Sequence, residues 1–359
     1  MQDWRRLNLV LVILLSGILV MGCPPPGAMV QPRGWAGPVI ADGILYIVSE
    51  GRLIAMDVLD RTEIWRFPRE AEPPIVAYGT PLVSEGRIFI GAFNGKVYAL
   101  DALTGEMRWG FTTGGPIVGS PAIAGNALIV GSSDGKLYAL NVRDGTLLWD
   151  KPFASGGKIW SDPVISRNLV FFGNLARRLY AVDIRTGLLE WSKEFDGAIA
   201  STPLIVGRTL YVGSFDFNFH ALDAETGFLE WLMPFEARNW FWTRPIYHGG
   251  MIFVGSLDHH IYAIDARTGM KKWSEPTGGG IRSAAVIVEG VLIVASGDGT
   301  VRGLDPRTGD ERWAPRDLGT PILAHPWVEG NTVYLIDQRN TLHALEGRTG
   351  QEVWRITLE

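Results

Sequence analysis

Eight tryptophans recur along this chain of 359 residues at nearly constant spacing. They are Trp65, Trp109, Trp149, Trp191, Trp231, Trp273, Trp313 and Trp354. Successive members lie 40 to 44 residues apart, and each closes a similar phrase, of which Ala181-Val-Asp-Ile-Arg-Thr-Gly-Leu-Leu-Glu-Trp191 is a clear copy. A period of this length is typical of repeat architectures, in which each unit packs only against its neighbours.

Each unit also has a proline that opens an apolar run. Ala285 takes its place in the seventh unit, and the prolines are Pro38, Pro81, Pro121, Pro163, Pro203, Pro245 and Pro326. Within the third unit, Gly125-Asn126 and Asp134-Gly135 separate short runs of β-forming residues, and both dipeptides accept the positive φ of tight hairpins. Each unit therefore predicts four antiparallel strands, A to D, with Thr-Gly in the C-to-D turn and the tryptophan in strand D.

One such sheet cannot bury both of its faces alone. Radial packing of the units around an axis buries them and leaves only short, protected edges. No run after residue 23 shows sustained helical periodicity. The sequence therefore predicts an all-β fold, an eight-bladed β-propeller of four-stranded antiparallel blades over residues 35–359. The eight tryptophans are interpreted as structural residues that dock each blade against a neighbour.

The recurring phrase Ala-x-Asp-x-x-Thr-Gly-x-x-x-Trp resembles the tryptophan-docking motif of the PQQ-like β-propeller repeat family. The match covers nearly the whole chain after residue 35. Some copies depart from it, since Asn141 and Glu346 replace the aspartate and the first unit lacks the glycine. The family includes quinoprotein dehydrogenases and the BamB-type lipoproteins of the outer-membrane assembly machinery. The resemblance implies the propeller fold and leaves both kinds of function open.

The first 23 residues have the pattern of a secretory signal. Arg5 and Arg6 precede an apolar stretch that ends Val20-Met-Gly-Cys23. A transmembrane anchor needs about 20 apolar residues, and only about 15 follow the polar break at Asn8. The ending resembles a bacterial lipobox, and Cys23 is the only cysteine of the chain. We expect a lipoprotein signal peptide over 1–22, a lipid on Cys23, a Pro-rich tether over 23–34 and an extracytoplasmic location on a bacterial membrane.

Composition and spacing argue against several classes of function. The net charge of -5, without a basic cluster, disfavours nucleic-acid binding. No histidine spacing resembles a structural zinc site. His220 and His343 occupy a strand-C position that tyrosine holds in other units. His259-His260 falls on a turn. No nucleophile elbow or phosphate-binding loop occurs. We expect no metal and no catalytic residues.

A quinoprotein enzyme is the catalytic alternative, because the same repeat houses the quinone cofactor PQQ in the dehydrogenases. Alcohol-dehydrogenase members of the family carry a vicinal cysteine pair over that cofactor, which a single cysteine cannot form. The nearly constant repeat length also shows no insertion that could build a pocket. We therefore expect no cofactor and no enzyme activity, and PQQ titration separates the two readings.

The repeat departs from its own pattern on one face. If the strands alternate in direction, the B-to-C turns and D-to-A loops emerge together. Units four to six lose the Asn-Gly or Asp-Gly turn, and the loop at 236–244 is rich in tryptophan and arginine, the residue types of interaction hot spots. We define the candidate partner surface as Trp160, Arg177, Arg178, Phe217, Arg238, Trp240, Phe241, Trp242, Arg244 and His259.

The competing interpretation is that Trp160 and Trp242 fill the funnel around the propeller axis. On balance the sequence predicts a monomeric, membrane-tethered, non-catalytic scaffold that binds protein partners. Its nearest named type is the BamB outer-membrane lipoprotein, which implies the β-barrel assembly machinery as partner and, in a host with two membranes, an outer-membrane location facing the periplasm. A cell-surface binding or sensing propeller is the alternative.

Overall fold

The computed structural model describes residues 34–70 and 75–358. The predicted signal peptide and all of the predicted tether except its last residue lie outside them. The described chain forms β-strands and no helix, so it contains no helix that could cross a membrane. The strands form eight four-stranded sheets, each antiparallel and each taken from one continuous segment, which confirms the predicted propeller.

The first four blades occupy residues 39–194. Their strands are β1 Val39–Ala41, β2 Ile44–Ser49, β3 Arg52–Asp57 and β4 Glu63–Phe67; β5 Leu82–Ser84, β6 Arg87–Gly91, β7 Lys96–Asp101 and β8 Met107–Thr112; β9 Ala122–Ala124, β10 Ala127–Gly131, β11 Lys136–Asn141 and β12 Phe153–Ala154 for blades 1 to 3. Blade 4 follows with β13 Val164–Ser166, β14 Leu169–Gly173, β15 Arg178–Asp183 and β16 Leu189–Glu194, which extends this half to residue 194.

Blades 5 to 8 repeat the same order. Their strands are β17 Leu204–Val206, β18 Thr209–Gly213, β19 Asn218–Asp223 and β20 Phe235–Glu236; β21 Ile246–His248, β22 Met251–Gly255, β23 His260–Asp265 and β24 Lys271–Pro276; β25 Val286–Val288, β26 Val291–Ala295, β27 Thr300–Leu304 and β28 Glu311–Asp317; β29 Trp327–Glu329, β30 Thr332–Ile336, β31 Thr341–Glu346 and β32 Glu352–Thr357.

The core lies between adjacent blades. Successive residues of a strand point to opposite faces of the sheet. Thus Leu128 and Val130 of β10 pack with blade 2, whereas Ala127 and Ile129 pack with blade 4. This explains why strands B and C read as continuous apolar runs, since both of their faces are buried.

The tryptophans dock each blade on the next, as predicted. Seven indole Nε1 atoms donate to a backbone carbonyl of the following blade's C-to-D turn, at 2.9–3.4 Å. The glycine of that turn lies against the ring. At Gly187 a Cβ would lie 2.6 Å from Cδ2 of Trp149, and φ is +70°. Both the contact and the backbone conformation therefore require glycine there.

The prediction that every tryptophan lies in strand D is wrong for Trp149 and Trp231. In those blades strand D is reduced to β12 and β20, which begin four residues after the indole. After strand D, a backbone N–H donates to the glycine of the B-to-C turn in the same blade. The donor is Thr113 in blade 2, four residues after Trp109, and Ser155 in blade 3, six residues after Trp149. The two extra residues bulge out of the ladder and shorten it.

The ring closes by side-chain packing between blades 8 and 1. Ile47 and Ile54 of blade 1 share one apolar cluster with Leu342 of blade 8, and no strand crosses between these sheets in the described chain. Arg61 occupies the turn position that glycine holds in the other seven blades, with φ of 58°. Its guanidinium carbon lies 5.9 Å from the centroid of Trp354, so a cation–π contact replaces the glycine–indole contact at this seam.

Candidate functional site

The B-to-C turns and D-to-A loops share one face of the propeller, as predicted from strand direction. Each D-to-A loop hydrogen-bonds to the B-to-C turn of the blade that it enters. Ser133 N donates to Pro116 O at 2.7 Å, and Leu257 N donates to Trp240 O at 3.0 Å. The loop at 236–244 therefore lies against the B-to-C turn of blade 6.

The B-to-C turns of blades 4 to 6 keep the turn geometry while changing the residue. Gly95, Gly135 and Gly299 have φ of 79°, 82° and 88°. The equivalent positions are left-handed as well, although their residues carry a Cβ: Arg177 (65°), Phe217 (73°) and His259 (70°). The departure is therefore one of side chain, not of backbone shape, and it places three side chains on this face at a conformational cost of about 1 kcal/mol or more each.

Replacing His259 with glycine is expected to raise the free energy of unfolding by about 1 kcal/mol, because the left-handed strain is relieved and the side chain is exposed. Chemical denaturation of the purified protein measures it. His248→Gly is the matched control: His248 is also exposed but lies in β21 without a positive φ, so glycine there should cost about 0.5–1 kcal/mol. A loss of stability in both variants would show that no strain is stored at His259.

The loop at 236–244 carries an aromatic stack. The Trp240 ring lies parallel to Phe215 of the blade 5 turn, with centroids 4.6 Å apart and an interplanar angle of 10°. Phe215 also stacks on Trp242 at 5.3 Å, and Trp242 meets Trp160 at 6.2 Å. All four rings are half-buried. The structure thus joins predicted residues of the blade 4 and blade 6 loops directly, through Trp160 and Trp242, and adds Phe215 of blade 5, which the sequence reasoning did not select.

Phe241 is a correction to the candidate partner surface. It is 0% exposed and belongs to the core between blades 5 and 6. The repeat marks this position, since the other D-to-A loops hold an isoleucine there. Where strand B ends in glycine, the residue packs on it, as Ile159 does on Gly131 and Phe241 does on Gly213. Phe241 is therefore a blade-packing residue and cannot contact a partner.

The arginines of the candidate surface fall into two groups. Arg177 and Arg178 both pair with Glu194, at 3.4 and 2.6 Å. The guanidinium groups of Arg238 and Arg244 are exposed and make no ion pair or side-chain hydrogen bond with any described residue, although the Arg238 backbone N–H donates to Asp258 Oδ2 at 2.9 Å. Two exposed arginines without a partner among the described residues therefore flank Trp240 and Trp242 in this loop, on a protein that is acidic overall.

An axial funnel opens on the same face and encloses a cavity of about 50 Å³. Trp160 and Trp242 line one side of it, where the competing interpretation places them, and Trp35 and Tyr78 line it as well, with ring centroids 4.5 Å apart. A cavity of this size has room for a few water molecules or one small polar group. The funnel and the candidate partner surface are continuous, because Trp160 and Trp242 belong to both.

Three residues with an acidic or basic side chain line the funnel: Asp162, Arg282 and His325. Asp162 is already satisfied, since its two oxygens accept from Ser120 N at 2.6 Å and from Thr202 Oγ1 at 2.9 Å. His325 Nδ1 accepts from Ala284 N at 2.8 Å. Arg282 makes no hydrogen bond or ion pair with any described residue, and burial lowers its pKa.

These residues do not fit a quinone cofactor held with a divalent cation. Asp162 is the single carboxylate of the funnel lining, both of its oxygens are engaged, and no group of three or more metal-ligating side chains occurs among the described residues. Of the other histidines considered, His220 and His343 are buried in strand C and His259 is exposed.

Comparison with known proteins gives a family model and solved structures that match most of the chain. A family model described as outer membrane protein assembly factor BamB matches residues 27–232 and 200–316. The crystal structure of BamB from Moraxella catarrhalis superposes with a TM-score of 0.72 and 22% identity, over 84% of this chain and 91% of that chain. At this identity the structural likeness shows the fold alone.

Curated relatives match only short segments. A 1-butanol dehydrogenase (cytochrome c) of Thauera butanivorans is 32% identical over 83 residues, which are 21% of this chain and 12% of the dehydrogenase. The serine/threonine-protein kinase AfsK of Streptomyces griseus is 36% identical over 75 residues, 20% of this chain and 9% of the kinase. The chain thus spans about a tenth of each relative's length, and because the two names describe different activities, the shared repeat does not identify one.

Proposed function

Because the chain belongs to the family of the outer membrane protein assembly factor BamB, we propose that it is a non-catalytic propeller that binds a protein partner in the cell envelope. The partner class that the family name suggests is the machinery that assembles outer-membrane β-barrels. We further propose that a lipid on Cys23, which lies outside the described residues, holds the propeller at the membrane facing the periplasm.

One observation supports the binding face above all. The stack of Trp160, Phe215, Trp240 and Trp242 is half-buried, and the unpaired guanidinium groups of Arg238 and Arg244 lie beside it. Aromatic rings and arginines dominate interaction hot spots, because they bury a large area with few rotatable bonds and donate several hydrogen bonds. The strained turn residues Arg177, Phe217 and His259 extend the same face over blades 4 to 6.

The test is affinity purification of the full chain from detergent-solubilised membranes after crosslinking, with the subunits of the barrel assembly machinery as the expected partners. The double variant Arg238→Ala, Trp240→Ala should lose them by at least ~30-fold, the effect of removing about 2 kcal/mol of hot-spot contact. The same preparations test the lipid anchor. The wild type should be recovered in the membrane fraction, and Cys23→Ser should not.

The matched control places the same two changes on the opposite face. Phe228→Ala with Arg267→Ala removes an exposed aromatic ring and an exposed guanidinium from the C-to-D turns of blades 5 and 6, and it should leave the partner bound. Retained binding with a large stability loss in the Arg238, Trp240 variant would show that the stack serves axial packing. A spectral change on adding PQQ and calcium would overturn the non-catalytic assignment.

A further inference from the structure

The axial funnel contains a cation that the fold does not use. Arg282 is half-buried in the loop that enters blade 7, and no carboxylate or carbonyl of the described chain accepts a hydrogen bond from it. A charged group that loses part of its hydration without gaining a partner is destabilised, and this burial lowers the pKa of Arg282. The five N–H donors of Arg282 are therefore available to an anionic ligand.

The other polar groups of the funnel lining include a hydrogen-bond donor, which also favours an anion. A backbone N–H donates to His325 Nδ1, so the proton of the neutral ring resides on Nε2, which is then a donor. Burial lowers the pKa of His325 below its usual 6.5, which keeps the ring neutral at pH 7. Asp162, the one carboxylate of the lining, has both oxygens engaged in hydrogen bonds but keeps its charge. The groups left for a ligand are therefore hydrogen-bond donors and the guanidinium of Arg282, which must outweigh the Asp162 carboxylate.

The walls add a second requirement. Trp35 and Tyr78 on one side, and Trp160 and Trp242 on the other, line the funnel with aromatic rings. A group that binds Arg282 therefore also meets aromatic rings, which favours an anion carried on an apolar or aromatic stem. A bare inorganic anion satisfies only the polar groups of the lining.

We propose that the axial funnel receives a carboxylate carried on an apolar or aromatic stem, with Arg282 as its principal ligand and His325 Nε2 as a second donor, and that the protein partner presents it on a narrow acidic loop. Only the claim that a protein partner carries this carboxylate rests on the proposed function. The funnel opens on the candidate partner surface, so a bound partner lies directly over it.

Ligand-observed NMR titration of the purified protein tests the site without the partner. The probe is the hexapeptide Gly-Gly-Phe-Asp-Gly-Gly, acetylated and amidated at its ends, and its control has asparagine in place of the aspartate. We expect the acidic peptide to bind at least ~10-fold more tightly than the neutral one, and Arg282→Gln to abolish that preference. Arg348→Gln, an exposed change on the opposite face, should preserve it.

Two readouts separate a binding role from a structural one. Because Arg282 has no partner in the fold, Arg282→Gln should keep or raise the melting temperature, and Arg282→Lys should retain part of the preference through its charge. Equal binding of both peptides, no binding, or an unaffected Arg282→Gln variant would overturn the site. Binding of free phenylacetate without binding of the acidic peptide would assign the funnel to a small organic acid and overturn the protein-borne carboxylate. Since purification of the partner is not involved, failure here leaves the proposed function standing.

Discussion

Replacing Trp149 with alanine is expected to lower the free energy of unfolding by about 3–5 kcal/mol, the range for large buried aromatic side chains. The indole is 4% exposed, packs between blades 3 and 4, and donates to Ile184 O at 2.9 Å. Truncation leaves a cavity against Gly187 and an unpaired carbonyl. Urea denaturation followed by circular dichroism measures the change, because Trp149 is one of many tryptophans and fluorescence does not isolate it.

Trp354→Ala is the matched control for this prediction. Trp354 is half-buried and makes no indole hydrogen bond with a described residue, and its ring faces Arg61 in place of glycine. Its loss should cost clearly less than that of Trp149. Trp191 is also half-buried but keeps its bond to Ala224 O at 3.0 Å, so it should fall between the two. Equal losses at Trp149 and Trp354 would contradict the view that burial and the indole bond determine the cost.

Lowering the pH from 7 to 5 is expected to remove about 2 kcal/mol of stability through His220 alone. The side chain is 9% exposed, both ring nitrogens lack a hydrogen-bond partner, and the ring packs on Phe195 with centroids 4.8 Å apart. Burial lowers the pKa of His220 to about 4, against 6.5 as the ordinary value. The unfolded chain therefore takes up the proton first as the pH falls, and stability is lost between about pH 6.5 and 4.

His220→Tyr should remove this acid sensitivity. Tyrosine holds the position in other blades, where the hydroxyl of Tyr262 donates to Asp258 Oδ2 at 2.6 Å, and Asp216 is the equivalent turn residue in blade 5. The variant should thus also gain a hydrogen bond. Denaturation midpoints at pH 7 and pH 5 measure the effect, with His259→Tyr as the exposed control. An unchanged pH dependence in His220→Tyr would show that other groups cause the acid loss.

The fold could be predicted because every blade repeats the same physical requirements. The tryptophan spacing, the hairpin dipeptides and the prolines each mark the same boundary in eight copies, so an error in one copy is corrected by the others. The features that could not be predicted from the sequence occur in only one or two of the blades. The short strands β12 and β20 were missed because they depend on two residues inserted after Trp149 and Trp231.

The candidate site was less predictable because a departure from the repeat has more than one physical cause. Phe241 departs from isoleucine yet stays in the core, whereas Phe215 gives no signal in the sequence and becomes the centre of the aromatic stack through its contacts with Trp240 and Trp242. Arg282 gave no signal either, since the absence of a partner is visible only when all of its neighbours are placed.

The extra residues after the docking tryptophans give the propeller a lower symmetry than its eight blades suggest. From Trp109 to Trp191 is 82 residues, from Trp191 to Trp273 is again 82, and from Trp273 to Trp354 is 81, whereas single intervals between Trp109 and Trp313 alternate between 40 and 42. The shortened strand D recurs in blades 3 and 5 but not in blades 1 and 7, where Trp65 and Trp313 lie within β4 and β28. The alternation therefore covers blades 2 to 6, and a structural effect measured at Trp149 should transfer to Trp231, two blades along, and not to the docking tryptophans of the neighbouring blades.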